Sequence, residues 1–192
     1  MESLQNKTIS KTVCALLYLT GRAETTDKLR LSRLLYLADK YHFMTSRETI
    51  TNDRYVALGI GPAGIRAMII FNAWALYTGM FEKNVVISLF SQAEKDALDF
   101  VVEKFNGMSD KDFEAYMLAL PEWKIARKLF DVKASLIGDQ RRLGPDGQVF
   151  YPIETEDLLL KNDDDTYFNV PEDHAGEAKQ FFFANTVNKE AS

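Results

Sequence analysis

One cysteine and two histidines in 192 residues leave little material for redox or metal chemistry. Cys14 cannot form an intrachain disulfide and fits a reducing compartment, where a small buried hydrophobe is its ordinary role. Two histidines and a cysteine make no ordinary zinc site without several carboxylates. An excess of positive charge is missing too. Lys and Arg number 23 against 28 Asp and Glu, giving a net charge of −5. Free nucleic acid is therefore not the expected partner, because phosphate binding needs a basic face. No run of about 20 apolar residues is present; residues 67–81 come nearest and contain Asn72, so no membrane partner is expected. The short apolar run Val13–Leu19 after Lys7 and Lys11 is too brief for a signal peptide and reads as part of a mature helix, which makes a cytoplasmic protein the expectation. Catalytic signatures are missing as well. Gly59-Ile-Gly61 has two glycines of a dinucleotide loop, but no βαβ unit surrounds it. Neither a Walker loop, nor a His-Glu-x-x-His helix, nor an internal repeat is found.

What is present is core material. The chain is 46% hydrophobic, with 13 Phe and 8 Tyr, and a domain of this length buries roughly 70% of its unfolded surface without staples. Helical periodicity runs from Thr8 to Leu19 through Ile9, Val13, Leu16 and Leu17, with Gly21 as the expected stop. A second helix is expected from a cap at Thr25 or Thr26 to about Thr45–Arg47. Its core stripe is Leu31, Leu34, Leu35, Ala38 and Tyr41 or His42, with Arg30, Arg33 and Lys40 on the opposite side. Period-2 alternation over Arg54–Leu58 predicts a short strand, with 84–88 as its expected mate. Pro62 is expected to open a third helix with a buried stripe of Ile65, Met68, Ile69, Asn72, Ala73, Leu76 and Tyr77. Ile70, Phe71, Trp74 and Met80 make it apolar nearly all round, so it is either central or half turned to a partner. Ser91 and Glu94 form a capping box before a fourth helix to Phe105. Ser109 caps a fifth through Phe113, Met117 and Leu118, and Pro121 starts a sixth with Trp123, Ile125, Ala126, Leu129 and Phe130.

After Val132 the pattern weakens. Gly138, Gly144, Pro145 and Gly147 suggest a hairpin from 136–143 and 148–151. Glu154–Lys161 suggests a short helix, and Pro171 a last one ending in Phe181–Phe183, which either docks on the body or faces a partner. Residues 146–173 are crowded with acids, Lys161 being the only cation. The expected architecture is mainly α, with about six to eight helices and a small hairpin or two- to three-stranded sheet. It divides into a helical unit over 1–132 and an acidic extension over 133–192 packed on the same domain. Asp39, His42 and Asp53 make a conceivable metal triad, against which a hydrogen-bonded structural histidine is the simpler reading. No catalytic residue, metal or cofactor is expected.

Three motifs fall in one register: Leu34-Leu-Tyr-Leu-Ala-Asp39, Ile50-Thr-Asn-Asp-Arg-Tyr-Val-Ala57 and Gly61-Pro62. Together they resemble the signature of the Panacea domain, the SocA-like antitoxin domain, over roughly residues 10–130. The resemblance singles out Tyr36, Asp39, Asp53, Tyr55, Gly61, Pro62 and Trp123 as motif or partner-binding positions. Asn52 stands where the family usually has Gly; Asn tolerates left-handed geometry. Ala63 replaces a usual Val, and Leu118 and Ala119 stand where a His is common. The resemblance implies an antitoxin of a bacterial or phage (including prophage) toxin–antitoxin pair, neutralising its cognate toxin by direct binding. A second family behaviour, delivery of the toxin to a protease unfoldase as an adaptor, is the alternative, beside a phage-encoded regulator of a host protein. For Asp39 and Asp53 it leaves two roles open, bracing a turn or touching the partner.

Overall fold

Helix α2 runs through the middle of the molecule, and the other elements are arranged around it. The computed structural model describes residues 4–73, 87–128, 151–160 and 168, with side chains from 11 onward and without that of Ile87. In chain order these are α1 (Leu4–Ala23), α2 (Lys28–Ser46), β1 (Tyr55–Leu58), β2 (Gly61–Gly64) and α3 (Ile65–Asn72). After them come a 3-10 turn (Ile87–Leu89), α4 (Gln92–Phe105), α5 (Asp110–Ala119), α6 (121–128), β3 (Tyr151–Ile153) and a second 3-10 turn (Thr155–Leu159). The protein is mainly α with one small antiparallel sheet of order β2-β1-β3.

α2 begins at Asp27, whose carboxylate accepts the Arg30 N–H at 2.7 Å. Thr25, expected as a possible cap, instead accepts the Asp27 N–H through its hydroxyl at 3.2 Å. Arg47 closes the helix with φ +63°. α1 does not stop at Gly21. It continues to Ala23, whose carbonyl accepts the Asn106 side-chain amide, and the chain turns at Glu24 with φ +50°. Burying Ala23 outweighs the roughly 1 kcal/mol that glycine costs inside a helix.

The larger correction concerns α2. Its two expected faces do not exist: every residue from Leu31 to Lys40 is buried, Arg33 and Lys40 included. A helix surrounded on all sides keeps charged residues only if each is paired. Arg33 reaches the Ile60 carbonyl at 3.1 Å and Glu114 at 3.3 Å. Lys40 meets Glu122 at 2.9 Å, both fully buried. Arg30 holds the end of α4, donating to the carbonyls of Phe105, Asn106 and Met108.

The sheet also differs from expectation. β1 pairs with β2 across a two-residue turn, Leu58 opposite Gly61, and on its other edge with β3, Ala57 opposite Tyr151. Both edges of β1 are thus taken; of its expected mate, 84–86 lie outside the described residues and Ile87–Leu89 forms a 3-10 turn. Pro62 lies in β2 opposite Ala57, so α3 starts three residues late, at Ile65. α3 also turns a different face inward. Ala67, Ile70 and Phe71 are buried, whereas Ile69 is 61% exposed and Ile65 and Met68 are half-buried. The expected stripe followed the helical period but took the wrong phase. The expected capping box forms, Ser91 accepting the Glu94 N–H while Glu94 accepts the Ser91 N–H, and the expected Ser109 cap accepts the Asp112 N–H.

The core joins Leu16, Leu19, Leu34, Leu37, Leu98, Phe105, Phe113 and Met117. Ile153, Leu158 and Phe168 from the rear of the chain enter the same core. Phe168 lies about 6 Å from the rings of Tyr41, Phe100 and Phe105. The rest of the third helix from Trp74, Leu129 and Phe130, the Arg141-Arg142 hairpin, most of the acidic run and the Phe181–Phe183 helix lie outside the described residues.

Candidate functional site

The segment 47–54 between α2 and β1 is polar, and its backbone groups need partners where the chain goes inside. Asp39, on α2, supplies them. It is 1% exposed and accepts the Thr51 N–H at 3.0 Å and the Thr51 hydroxyl at 2.5 Å. Burial raises its carboxyl to about 6; the Thr51 bonds oppose the rise and the nearby Asp53 charge adds to it. Tyr55, at the start of β1, packs edge-on against Tyr36 with ring centroids 5.5 Å apart. Burial, and then the Asp39 charge, push the Tyr55 hydroxyl well above its ordinary range.

Asp53 performs the second joint. Its carboxylate accepts the N–H groups of Arg54 at 2.7 Å, Arg66 at 2.9 Å and Ala67 at 3.2 Å. It is thus the N-terminal cap of α3, supplied from eleven residues before Gly64, the residue at the helix start. Burial raises its carboxyl, and the same three N–H groups work against that rise. Gly64 must be glycine for this reason: a Cβ there would lie 2.3 Å from Asp53 Oδ2. Arg66 returns the contact by donating to the Asn52 carbonyl at 2.6 Å. Asn52 has φ +49°, the left-handed geometry that asparagine tolerates.

The hairpin end is the third joint. Gly61 has φ +118°, and a Cβ on it would meet Met117 Cβ at 3.0 Å, so glycine answers both backbone and packing. Trp123, on α6, donates its indole N–H to the Leu58 carbonyl at 2.7 Å and is half-buried. Between the joints lies a buried polar group. Tyr36 donates to Glu122 Oε1 at 2.8 Å, and Lys40 donates to the same oxygen and to the Leu160 carbonyl at 2.5 Å.

The structure brings Tyr36, Asp39, Asp53 and Tyr55 together where α2 meets β1, and places Gly61, Pro62 and Trp123 at the far end of the hairpin. Lys40, Glu122, Thr51 and Arg33 complete the same framework, and sequence reasoning did not select them. The signal was available for two of them: Tyr36 and Lys40 are one turn apart, and a carboxylate beside Trp123 is their natural partner.

His42 does not join Asp39 and Asp53. Its Nδ1 lies 2.5 Å from the Glu48 carbonyl and 2.9 Å from the Ser46 hydroxyl, which secures the end of α2. Among the described residues no group of three or more His, Cys, Asp or Glu side chains is placed to hold a metal ion. Each signature carboxylate is already filled by donors from its own chain. The arrangement supports rigidity at three joints.

Residues 31–124 match the family described as antitoxin SocA-like, Panacea domain. The match begins in α2 and ends in α6, and it includes all seven signature positions. No curated protein and no solved structure gives a significant match.

Proposed function

Through residues 31–124 the chain belongs to the SocA-like Panacea domain family, and we propose that it acts as an antitoxin that neutralises a cognate toxin by binding it directly. The family match carries this reading. The geometry supports the direct-binding form of it, because the signature side chains are spent on internal bonds and recognition falls to the outer surface that they hold in shape. On this reading the protein works in the cytoplasm by stoichiometric association, with no catalytic step and no cofactor. Among the described residues no helix is long and apolar enough to cross a membrane.

The test is co-expression with the protein encoded beside it. The neighbour should arrest growth alone, grow normally beside this chain, and co-elute with it as a stable complex. A neighbour that is harmless alone, or that stays toxic in its presence, removes the proposal. Rescue that needs an ATP-dependent protease, with the toxin lost rather than held, replaces it with the adaptor reading.

A further inference from the structure

We infer that the exposed face of α6 is a docking site for an acidic protein segment. The helix over 121–128 reads Pro-Glu-Trp-Lys-Ile-Ala-Arg-Lys. Its one carboxylate, Glu122, is fully buried and committed to Tyr36 and Lys40. Lys124, Arg127 and Lys128, at i, i+3 and i+4, are left on one side, the two lysines exposed and Arg127 half-buried. Arg22, Arg30 and Arg33 are answered by Asp99, Asp110 and Glu114, whereas Arg54, Lys95, Lys104 and Lys111 have no ion-pair partner among the described residues but lie scattered over other parts of the fold. The three on α6 have no hydrogen-bond or ion-pair partner among the described residues.

Arg127 is also held in place. Its guanidinium carbon lies 5.1 Å from the Trp123 ring centroid and 5.3 Å from that of Tyr151. Both rings are anchored to the sheet, Trp123 through its bond to the Leu58 carbonyl and Tyr151 through its place opposite Ala57 in β3. A guanidinium stacked on rings has lost its freedom before any partner arrives, and its edge still presents the planar fork of donors that matches a carboxylate in two bonds. Lys124 and Lys128 add unpaired charge on either side. Phosphate would satisfy the same fork. The patch is small, however, the chain carries a net charge of −5, and exposed Glu154 and Glu156 follow Tyr151 closely, so a polyanionic strand is disfavoured against a short run of Asp or Glu.

The identity of the partner as a toxin rests on the antitoxin reading; the chemistry of the surface does not. The experiment therefore has two arms, both on the full chain. In the first, a short glutamate-rich peptide and a single-stranded oligonucleotide of equal charge are titrated while the Trp123 indole and Arg127 Nε signals are followed by NMR. The peptide should shift both signals, and Lys124→Glu/Lys128→Glu should weaken it on the order of tenfold, with thermal unfolding unchanged. Lys104→Glu/Lys111→Glu, reversing exposed cations on α4 and α5, should leave binding intact. No shift, an equal loss in both double variants, or tighter binding of the oligonucleotide overturns the site. In the second arm the same variants meet the toxin. If the wild type binds the peptide but no toxin, the functional reading falls and the surface stands; a toxin complex indifferent to Lys124→Glu/Lys128→Glu overturns the surface as the toxin's docking site.

Discussion

At the scale of single residues, the signature acids serve as backbone braces, and this has consequences for pH and for packing. Asp39 sits near 6 inside the fold and near 3.9 in the unfolded chain. A carboxyl whose folded value is raised stabilises the fold fully below the unfolded value and loses that contribution as the pH rises through the folded one. Asp39 should therefore make the protein less stable at pH 7 than at pH 5, by about 1 kcal/mol, the rest of the effect of its shift falling below pH 5. Asp53 and Asp157, both raised by burial, act in the same direction. Urea unfolding between pH 4.5 and 7.5 should show stability falling with pH, and Asp39→Asn should flatten the slope while keeping an acceptor for the Thr51 N–H. A slope unchanged by Asp39→Asn would show that its proton is not what is titrating. Gly64 gives a packing test. Gly64→Ala pushes a methyl into Asp53 and should cost about 2–3 kcal/mol through overpacking and a displaced cap. Because Asp53→Ala loses the same cap, the double variant should cost clearly less than the sum of the singles; strict additivity would separate the two residues.

At the scale of elements, α2 is where local pattern and tertiary setting part company. Its helical period, its end at Arg47, the capping box of α4 and the Ser109 cap of α5 were legible because side chain and backbone settle them within one turn. The left-handed Asn52 was legible only through the resemblance, which sets it where glycine is usual. The burial of Arg33 and Lys40 was not, since it depends on Glu114 and Glu122, some 80 residues away. The mate of β1 was misjudged on similar grounds: β2 is a Gly-Pro-Ala-Gly stretch with no strand-like composition, and β3 arrives from residue 151. Of the site, Asp39 and Asp53 and their bracing of a turn, as one of two open roles, could be read; the donors they accept from, Thr51, Arg66 and Ala67, could not, because only the fold brings them alongside. The α2–α6 link makes a prediction of its own. Lys40→Met leaves Glu122 buried without its cation and should cost about 3–5 kcal/mol, whereas Lys40→Met/Glu122→Met should recover most of the loss. Chemical denaturation of the three proteins decides it; a double variant no better than the single would mean that the remaining Tyr36 hydroxyl, not the stranded carboxylate, sets the cost.

At the scale of the whole molecule, the family match and the folding unit have different limits. The match closes at residue 124, yet the core takes in Ile153, Leu158 and Phe168, all buried. Lys40 reaches the Leu160 carbonyl, and Arg127 is flanked by Tyr151. The rear segment thus fills the second edge of β1, covers the polar group around Glu122 and closes the aromatic cluster beside Tyr41. Each of those three buried side chains contributes roughly 1.5–3 kcal/mol, set against the 5–15 kcal/mol that a domain of this kind has in total. A chain ending after residue 128 should therefore lose cooperative unfolding or melt far below the full chain. Circular dichroism melts of the truncation and the full chain measure this directly. If the shorter form unfolds as sharply and at the same temperature, then 151–168 is an accessory to a domain already complete at α6. If it does not, a toxin-binding unit drawn at the limits of the family match would fail in any binding assay for want of a core, and the loss would be misread as the loss of a contact surface.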